Sequence, residues 1–458
     1  MRVGAGPLLG LRIAATLPPG GWFGGVDHEF ARDMQRDLIE LGAEVFSLPV
    51  DPFLARDRNQ IYDAIEALES FRADVAISLA NAGYALLCVT PEGENVFRDV
   101  LGIPTLMIWD HGPLQFSNIL LRTPPSAPEQ AIGDCIRRFR EALDHPLYVH
   151  YSPDRGHIAT LDRMGVIPAG SVGFFLQPAY PCYERYGRSA PPSGPANGGI
   201  AFFGNVYLQA SDKLSFRNHT VLKRIETSVL AAKRDSITAS LWDLTMAEID
   251  GLDRKTRERL RLDPDSSFFW RFVEDLIQTS GNTAVRLAVL KGLNRDLDFF
   301  GNFIEPTGLS TLRRPHGIQY RQSVNCVTEL PELYAKYEIT ADVINQGYNT
   351  GSSPKITACL AAGGLPLFDY KPDFHDGMGE PGDQLMYRSV EELNTKVEEY
   401  LTHPTKRREV IRELQARVLS EFTFGGLCKR ILVDKPLWRS RANPKKISGP
   451  GRSMRITF

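Results

Sequence analysis

The sequence predicts an α/β protein built as two domains, each a parallel sheet covered by helices on both faces. Three observations carry this. Short, almost continuously apolar segments alternate with helical ones through the first half of the chain, and the pattern resumes near its second half, as expected of strands buried on both faces. At 458 residues the chain is too long for one ordinary core. A stretch rich in Pro, Gly and Ser, from Arg185 to Gly199, separates the halves. The expected organisation is a first domain over 1–184, a linker over 185–199, and a second domain over 200–434 with a helical insertion at 212–293. A basic tail over 435–458 follows.

In the first domain LRIAATL reads as a strand and PPGGWFGGVDH as a glycine-rich turn. EFARDMQRDLIELG has helical spacing, with Phe30, Met34, Leu38 and Leu41 on one face. AEVFSLPV is the next strand and Ile61 to Phe71 a helix; ADVAISLA, PTLMIWD, LYVHYS and SVGFFLQ are further strands. In the second domain IAFFGN opens the sheet, and Gly204 and Asn205 cap its first strand. The segment 212–293 is charged and helical. DLDFFGN, GIQYRQSVN, ITADVINQ and LPLFDY continue the sheet, and VEELNTKVEEYL and KRREVIRELQARVLSEF are amphipathic helices. The functional edge of such sheets lies where strands run into their following loops. In the first domain three of those loops carry polar chemistry: Gly20 to His28, Asn81 to Tyr84, and Asp110-His111-Gly112.

The most informative stretch is GYNTGSSPKITACLAAGGLPLFDY, Gly347 to Tyr370. Gly347, Asn349, Gly351 and Pro354 disfavour regular structure before Lys355. A small-residue helix follows to about Ala362, with Ser352 or Ser353 as its N-cap and Pro354 in its first turn. Gly363 and Gly364 end it. The unit is strand, loop, helix, strand. Its loop brings backbone N–H groups, a helix N-terminus and a lysine to the C-terminal edge of a parallel sheet, where phosphates bind.

Composition narrows the class. A net charge of −2 argues against a general nucleic-acid binder. Six scattered cysteines without a CxxC pair point to a reducing compartment and no structural zinc. No apolar run reaches the roughly 20 residues that span a bilayer. Arg12 interrupts the apolar start, so MRVGAGPLLGLRIAATL is read as leading into a strand rather than as a signal, and the expected compartment is the cytoplasm. The tail from Lys435 holds seven Lys or Arg and no acid; it suits weak contact with a membrane surface or an acidic acceptor, or plain disorder. Asp263-Pro264-Asp265 spells a DxD pattern but lies among helices and reads as coincidence. No dinucleotide fingerprint, HExxH, GxSxG or phosphate-binding lysine loop of the Walker type is present.

The segment ITADVINQGYNTGSSPKITACLAAGGLPLFDYKPD, with YRSVEELNTKVEEYLTHPTKRREV and the helix after it, resembles the glycosyltransferase-like domain of the spore-maturation CgeB family over about Asp298 to Leu432. The family pattern is a strand ending in Asn, an Arg-x-x-Glu helix, Ala-Cys-Gly-Gly and a strand ending in Asp-Tyr. The resemblance implies the GT-B fold, two Rossmann-like domains facing across a cleft. It also implies a glycosyltransferase of hexosyl type, moving a sugar from a nucleotide-diphosphate donor to an acceptor hydroxyl on a protein, glycan or small molecule. No metal or other cofactor and no nucleic-acid partner is expected. The chain departs from the pattern at three places: the helix-start Arg falls on Lys355, the Glu that would hold the donor ribose falls on Ala358, and the Cys falls on Ala362. A lysine supplies a point charge without the fork of Arg, and the absent Glu leaves room for an unusual donor or an altered site.

Such a transfer needs the leaving diphosphate neutralised, water excluded and, for inversion, a general base. Lys355 and the N–H groups of Gly351, Ser352 and Ser353 are the expected diphosphate contacts, with Gly204 and Asn205 facing them. Arg321 would reach the base or ribose. Asn345 would touch the sugar or tie down its loop. His28 is a candidate base with Asp27 as its orienter, although Asp27 also suits a helix cap. Asp110 and His111 are the rival pair. Two other readings are a non-catalytic nucleotide- or glycan-binding module, favoured by Ala358, and a nucleotide-sugar epimerase.

Overall fold

The apolar segments of the two halves assemble into two six-stranded sheets. The computed structural model describes residues 6–20, 25–79, 83–109, 145–163, 172–189, 197–206, 219–264, 266–301, 316–434, 436, 438 and 439. Asp110, His111 and nearly all of the basic tail lie outside the described residues. The first sheet contains β1 (Arg12–Leu17), β2 (Glu44–Pro49), β3 (Val75–Ser78), β4 (Thr105–Ile108), β5 (Tyr148–Ser152) and β6 (Val172–Phe174). The second contains β7 (Asn197–Phe203), β8 (Leu297–Phe300), β9 (Ile318–Arg321), β10 (Tyr337–Ala341), β11 (Pro366–Asp369) and β12 (Met386–Tyr387). Their orders are β2-β1-β3-β4-β5-β6 and β12-β11-β10-β7-β8-β9. Neighbouring strands pair in parallel throughout. Parallel pairing sets the loop-bearing ends of neighbouring strands along one edge of each sheet.

The helix Val26–Glu40 buries Ala31, Met34 and Leu38, the stripe its spacing predicts. The insertion forms the helices Thr220–Asp235, Leu241–Asp250, Arg254–Leu260, Ser267–Glu274 and Asn282–Gly292. Leu222, Trp242 and Phe269 from these helices share one apolar cluster with Ala14, Tyr84, Phe97 and Trp109 of the first domain. The insertion is therefore packed into the body of the molecule, and its last helix is carried to the edge of the second sheet.

Two expected boundaries move. The helix Pro181–Ser189 occupies the first part of the expected linker, and β7 begins before its end. Gly187 belongs to close packing rather than to flexibility: a Cβ there would stand 1.9 Å from the carbonyl oxygen of Ala361. The second domain also ends earlier than residue 434. After the helix Pro404–Glu421 the chain returns to the first domain, where Ala179 bridges Thr423 and its N–H donates to Phe422 O at 2.9 Å. The helix Phe424–Lys429 then packs on Val26–Glu40.

This return crossing carries a pH dependence. Glu184 accepts from Phe424 N at 2.8 Å. Burial, opposed by that hydrogen bond and reinforced by the charge of Asp37, raises its carboxyl to about 7. Burial and Glu40 likewise raise Asp37 to about 6. Both groups hold protons more tightly folded than unfolded, where carboxyls titrate near about 4. Their stabilisation is complete below that value and is lost as pH rises through about 6 and then about 7. Glu184→Gln keeps the acceptor and removes the titration. Urea unfolding from pH 4 to 8 is expected to show the variant gaining roughly 2 kcal/mol on the wild type across that window; parallel curves would contradict the assignment.

Candidate functional site

The stretch from Gly347 to Tyr370 folds as its residue types dictate. Ser353 is the N-cap, its Oγ accepting from Lys355 N at 3.1 Å, and Pro354 opens the helix Pro354–Ala361. Gly363 takes φ +88°, the left-handed geometry that glycine accepts. The strand before the loop ends earlier than ITADVINQ suggests: β10 stops at Ala341, and carboxylates take the amides that follow. Val343 N donates to Asp342 Oδ1 and Ile344 N to Asp369 Oδ1, each at 2.7 Å. Asn345 thus stands in the loop, where its Oδ1 accepts from Asn282 Nδ2 at 3.1 Å and Gly347 N at 2.8 Å.

The start of this helix faces a cavity of about 230 Å³ between the two sheets. Lys355, Ser353, Ala358, Asn345 and Arg286 line it from the second domain, and Val26, Asp27 and Phe30 from the first. Tyr180 and Tyr183 form an aromatic wall with Phe30, whose ring centre lies 4.4 Å from that of Tyr180. Lys355 Nζ donates to Phe203 O at 3.0 Å, at the end of β7. Arg286, 7% exposed, donates through Nη1 to Asn205 O at 2.6 Å. Both cations act on Asp342: burial pushes its carboxyl up, and Lys355 and then Arg286 oppose this. The cavity therefore has two cations and the N-terminus of an eight-residue helix along one wall. That combination suits a polyanion of phosphate type.

Gly204 lies beside this wall: a Cβ on it would sit 3.7 Å from Lys355 Nζ. Gly301 has φ +147° and leaves no room for a Cβ against Gly204 O, only 2.0 Å away, so β7 and β8 end in close backbone contact. Asn205 contributes its carbonyl to Arg286 rather than standing open. Gly351 and Ser352 are not among the residues lining the cavity. A Cβ on Gly351 would lie 2.3 Å from Pro153 O, so this glycine serves close approach of the first domain. Arg321 stays on the edge strand β9, outside the cavity lining, and pairs with Asp298 at 3.3 Å.

On the first-domain side the two members of the Asp27–His28 pair part. Asp27 lines the cavity and accepts from Tyr84 Oη at 2.7 Å. His28 points to Pro18 O, 2.7 Å from Nδ1. A carbonyl only accepts, so Nδ1 carries the proton, and the carbonyl of Pro18 orients this ring. The domains also meet where Asn325 Nδ2 donates to Glu29 at 3.0 Å and Tyr183 Oη to Cys326 O at 2.6 Å.

Arg286 is the residue that the spacing of the sequence did not single out. Its helix reads NTAVRLAVLKG, and the available signal was a lone arginine inside an otherwise apolar run. Asp154 was also missed; it grips the loop before Ser353 from the first domain.

Residues 286–432 match the model of a family described as "Glycosyl transferase-like". That segment begins at Arg286 and includes Asp342, Asn345, Ser353 and Lys355. No curated protein sequence matches the chain. Among solved structures, an alpha-glucosyltransferase in complex with UDP and a 13-mer DNA containing an HMU base is similar, with TM-score 0.50 and 12% identity, covering 93% of this chain and 98% of that one. A glycosyltransferase from Rickettsia africae gives TM-score 0.46 at 10% identity, covering 95% of this chain and 99% of that one. The Anabaena protein HepE, in complex with UDP and glucose, gives 0.43 at 9% identity, covering 92% and 98%. The two facing parallel sheets are the GT-B fold. Among the described residues no helix is long and apolar enough to cross a membrane.

Proposed function

We propose that this chain is a GT-B glycosyltransferase that moves a sugar from a nucleotide-diphosphate donor to an acceptor hydroxyl on a protein, glycan or small molecule. The observation that carries it is the convergence of Lys355, Arg286 and the helix start at Ser353 on one cavity between the domains. The match of residues 286–432 to a glycosyl transferase-like family supports the same reading.

In this reading Lys355 and Arg286 meet the charge that develops on the leaving diphosphate, in place of a metal ion. The helix start adds N–H donors of fixed direction. Phe30, Tyr180 and Tyr183 offer flat apolar surface to the base or sugar. The sugar is a hexose, and the chain is CgeB-like in its second domain. Asp27, across the cavity, receives the acceptor proton. His28 holds the turn through Pro18.

The test is release of nucleoside diphosphate from a panel of nucleotide sugars. One donor is expected to be hydrolysed slowly and transferred faster with acceptor present. Asp27→Asn is expected to lower kcat by roughly 10²–10⁴-fold with little change in donor KM, and His28→Ala to lower it far less. Binding with neither hydrolysis nor transfer would favour the non-catalytic module. Ala358 supports that second reading, since it lines the cavity where the family pattern has a carboxylate.

A further inference from the structure

The loop that leads to Ser353 and Lys355 is gripped by one carboxylate of the first domain. Asp154 is 2% exposed and sits between β5 and the helix Arg155–Arg163. Its Oδ1 accepts from His157 N at 2.9 Å, Thr350 N at 3.1 Å and Thr350 Oγ1 at 3.0 Å. Its Oδ2 accepts from Asn349 N. The buried ring of His157 meets Gly347 O. From the other side Lys371 donates to Tyr348 O at 3.0 Å.

Two glycines let the domains approach closely here. Gly156 N donates to Thr350 Oγ1 at 2.7 Å, and a Cβ on Gly156 would lie 2.8 Å from Asn349 Nδ2. Gly351 is pressed on Pro153 in the same way. A second carboxylate, Asp373, accepts from Arg155 N at 2.8 Å and stands 2.7 Å from Thr350 Oγ1. Thr350 has one hydroxyl proton for two carboxylates. Burial raises the Asp373 carboxyl, while the hydrogen bonds from Thr350 and Arg155 N oppose this. Burial pushes Asp154 up as well, but His157 and the loop amides outweigh it and hold the group below the usual carboxylate range. The hydrogen bonds that Asp154 accepts from His157 N and from the amides of Asn349 and Thr350 favour its charged form.

We propose that Asp154 is a positioning residue for the donor site: by fixing Asn349 and Thr350 it sets the turn that presents Ser353 and Lys355, so donor affinity depends on contact between the domains. The segment that transmits this is short and stiff. Ser352 is 0% exposed, Ser353 is 6% exposed, and Pro354 fixes its own φ. The inference rests on the donor-site reading above.

Calorimetry with a panel of UDP, GDP, ADP, CDP and dTDP tests it, using the nucleotide that binds wild type most tightly. Asp154→Asn puts an N–H₂ where the loop amides need an acceptor; it is expected to weaken that Kd by about tenfold or more and to raise donor KM more than it lowers kcat. Thr350→Val, which removes only the shared hydroxyl, is expected to weaken it several-fold. Asp376→Asn breaks the exposed pair with Arg155 at the same junction and is expected to leave Kd unchanged. Wild-type affinity in Asp154→Asn, or an equal loss in Asp376→Asn, overturns the inference while the donor-site reading stands. If Asp154→Asn fails to fold, an unchanged Kd in Thr350→Val overturns it. Wild type that binds none of the panel overturns the donor-site reading, and this inference with it.

Discussion

Arg286→Ala is expected to lower the unfolding free energy by roughly 1–3 kcal/mol and to abolish measurable nucleotide binding. Arg286 is 7% exposed, and its Nη1 holds Asn205 O at 2.6 Å. It is also one of the cations that oppose the burial penalty of Asp342. Alanine leaves that carboxylate with less compensation and the carbonyl of Asn205 without this donor, and both penalties belong to buried groups. Urea unfolding and a nucleotide titration separate the two consequences. Adding Asp342→Asn to Arg286→Ala removes the surplus charge, so the double variant is expected to regain part of the stability. It is not expected to regain binding. A double variant that binds nucleotide as wild type does would show that Arg286 serves only the fold.

Lys355→Ala is expected to weaken donor Kd by roughly ten- to a hundredfold and to lower thermal stability as well, because Lys355 contributes more than Arg286 to opposing the burial penalty of Asp342. Lys355 is half-buried, and its Nζ also bonds to Phe203 O at 3.0 Å, an interaction that water replaces at small cost. A hydrogen bond to a charged phosphate contributes about 1.5–3 kcal/mol, which is that range of affinity. Lys355→Arg is expected to retain most of the binding, because the forked guanidinium also meets phosphate. Calorimetry against a nucleoside diphosphate, beside a melting curve, checks both variants.

The sequence discloses the site where local chemistry determines local structure. Ser353, Pro354, Lys355 and Gly363 announce a capped helix, and that helix is present at Pro354–Ala361. The apolar strand runs yield both parallel sheets, because a strand buried on both faces has few other compositions. Contacts made across the fold were not legible. Arg286 looks like one charge among many in a helical stretch, and only the packing of Asn282–Gly292 brings it to the cavity. Gly351 reads as a phosphate-loop glycine, and only the fold shows it pressed against Pro153 O. Asp154 carries only the signature of a helix cap, with no hint of the Asn349–Thr350 loop it holds. The strand before the loop looked longer than it is because Asp342 and Asp369 are invisible to periodicity as amide acceptors.

The most direct measurement is a calorimetric titration of the wild-type protein with one base in three forms: nucleoside, nucleoside monophosphate and nucleoside diphosphate. Two cations and a helix start on one wall predict that affinity rises steeply with each phosphate, by about tenfold or more at the second. The diphosphate increment should be lost in Lys355→Ala. Equal affinity for nucleoside and diphosphate, or a diphosphate increment that survives in Lys355→Ala, would contradict the assignment of this cavity to a nucleotide-diphosphate donor.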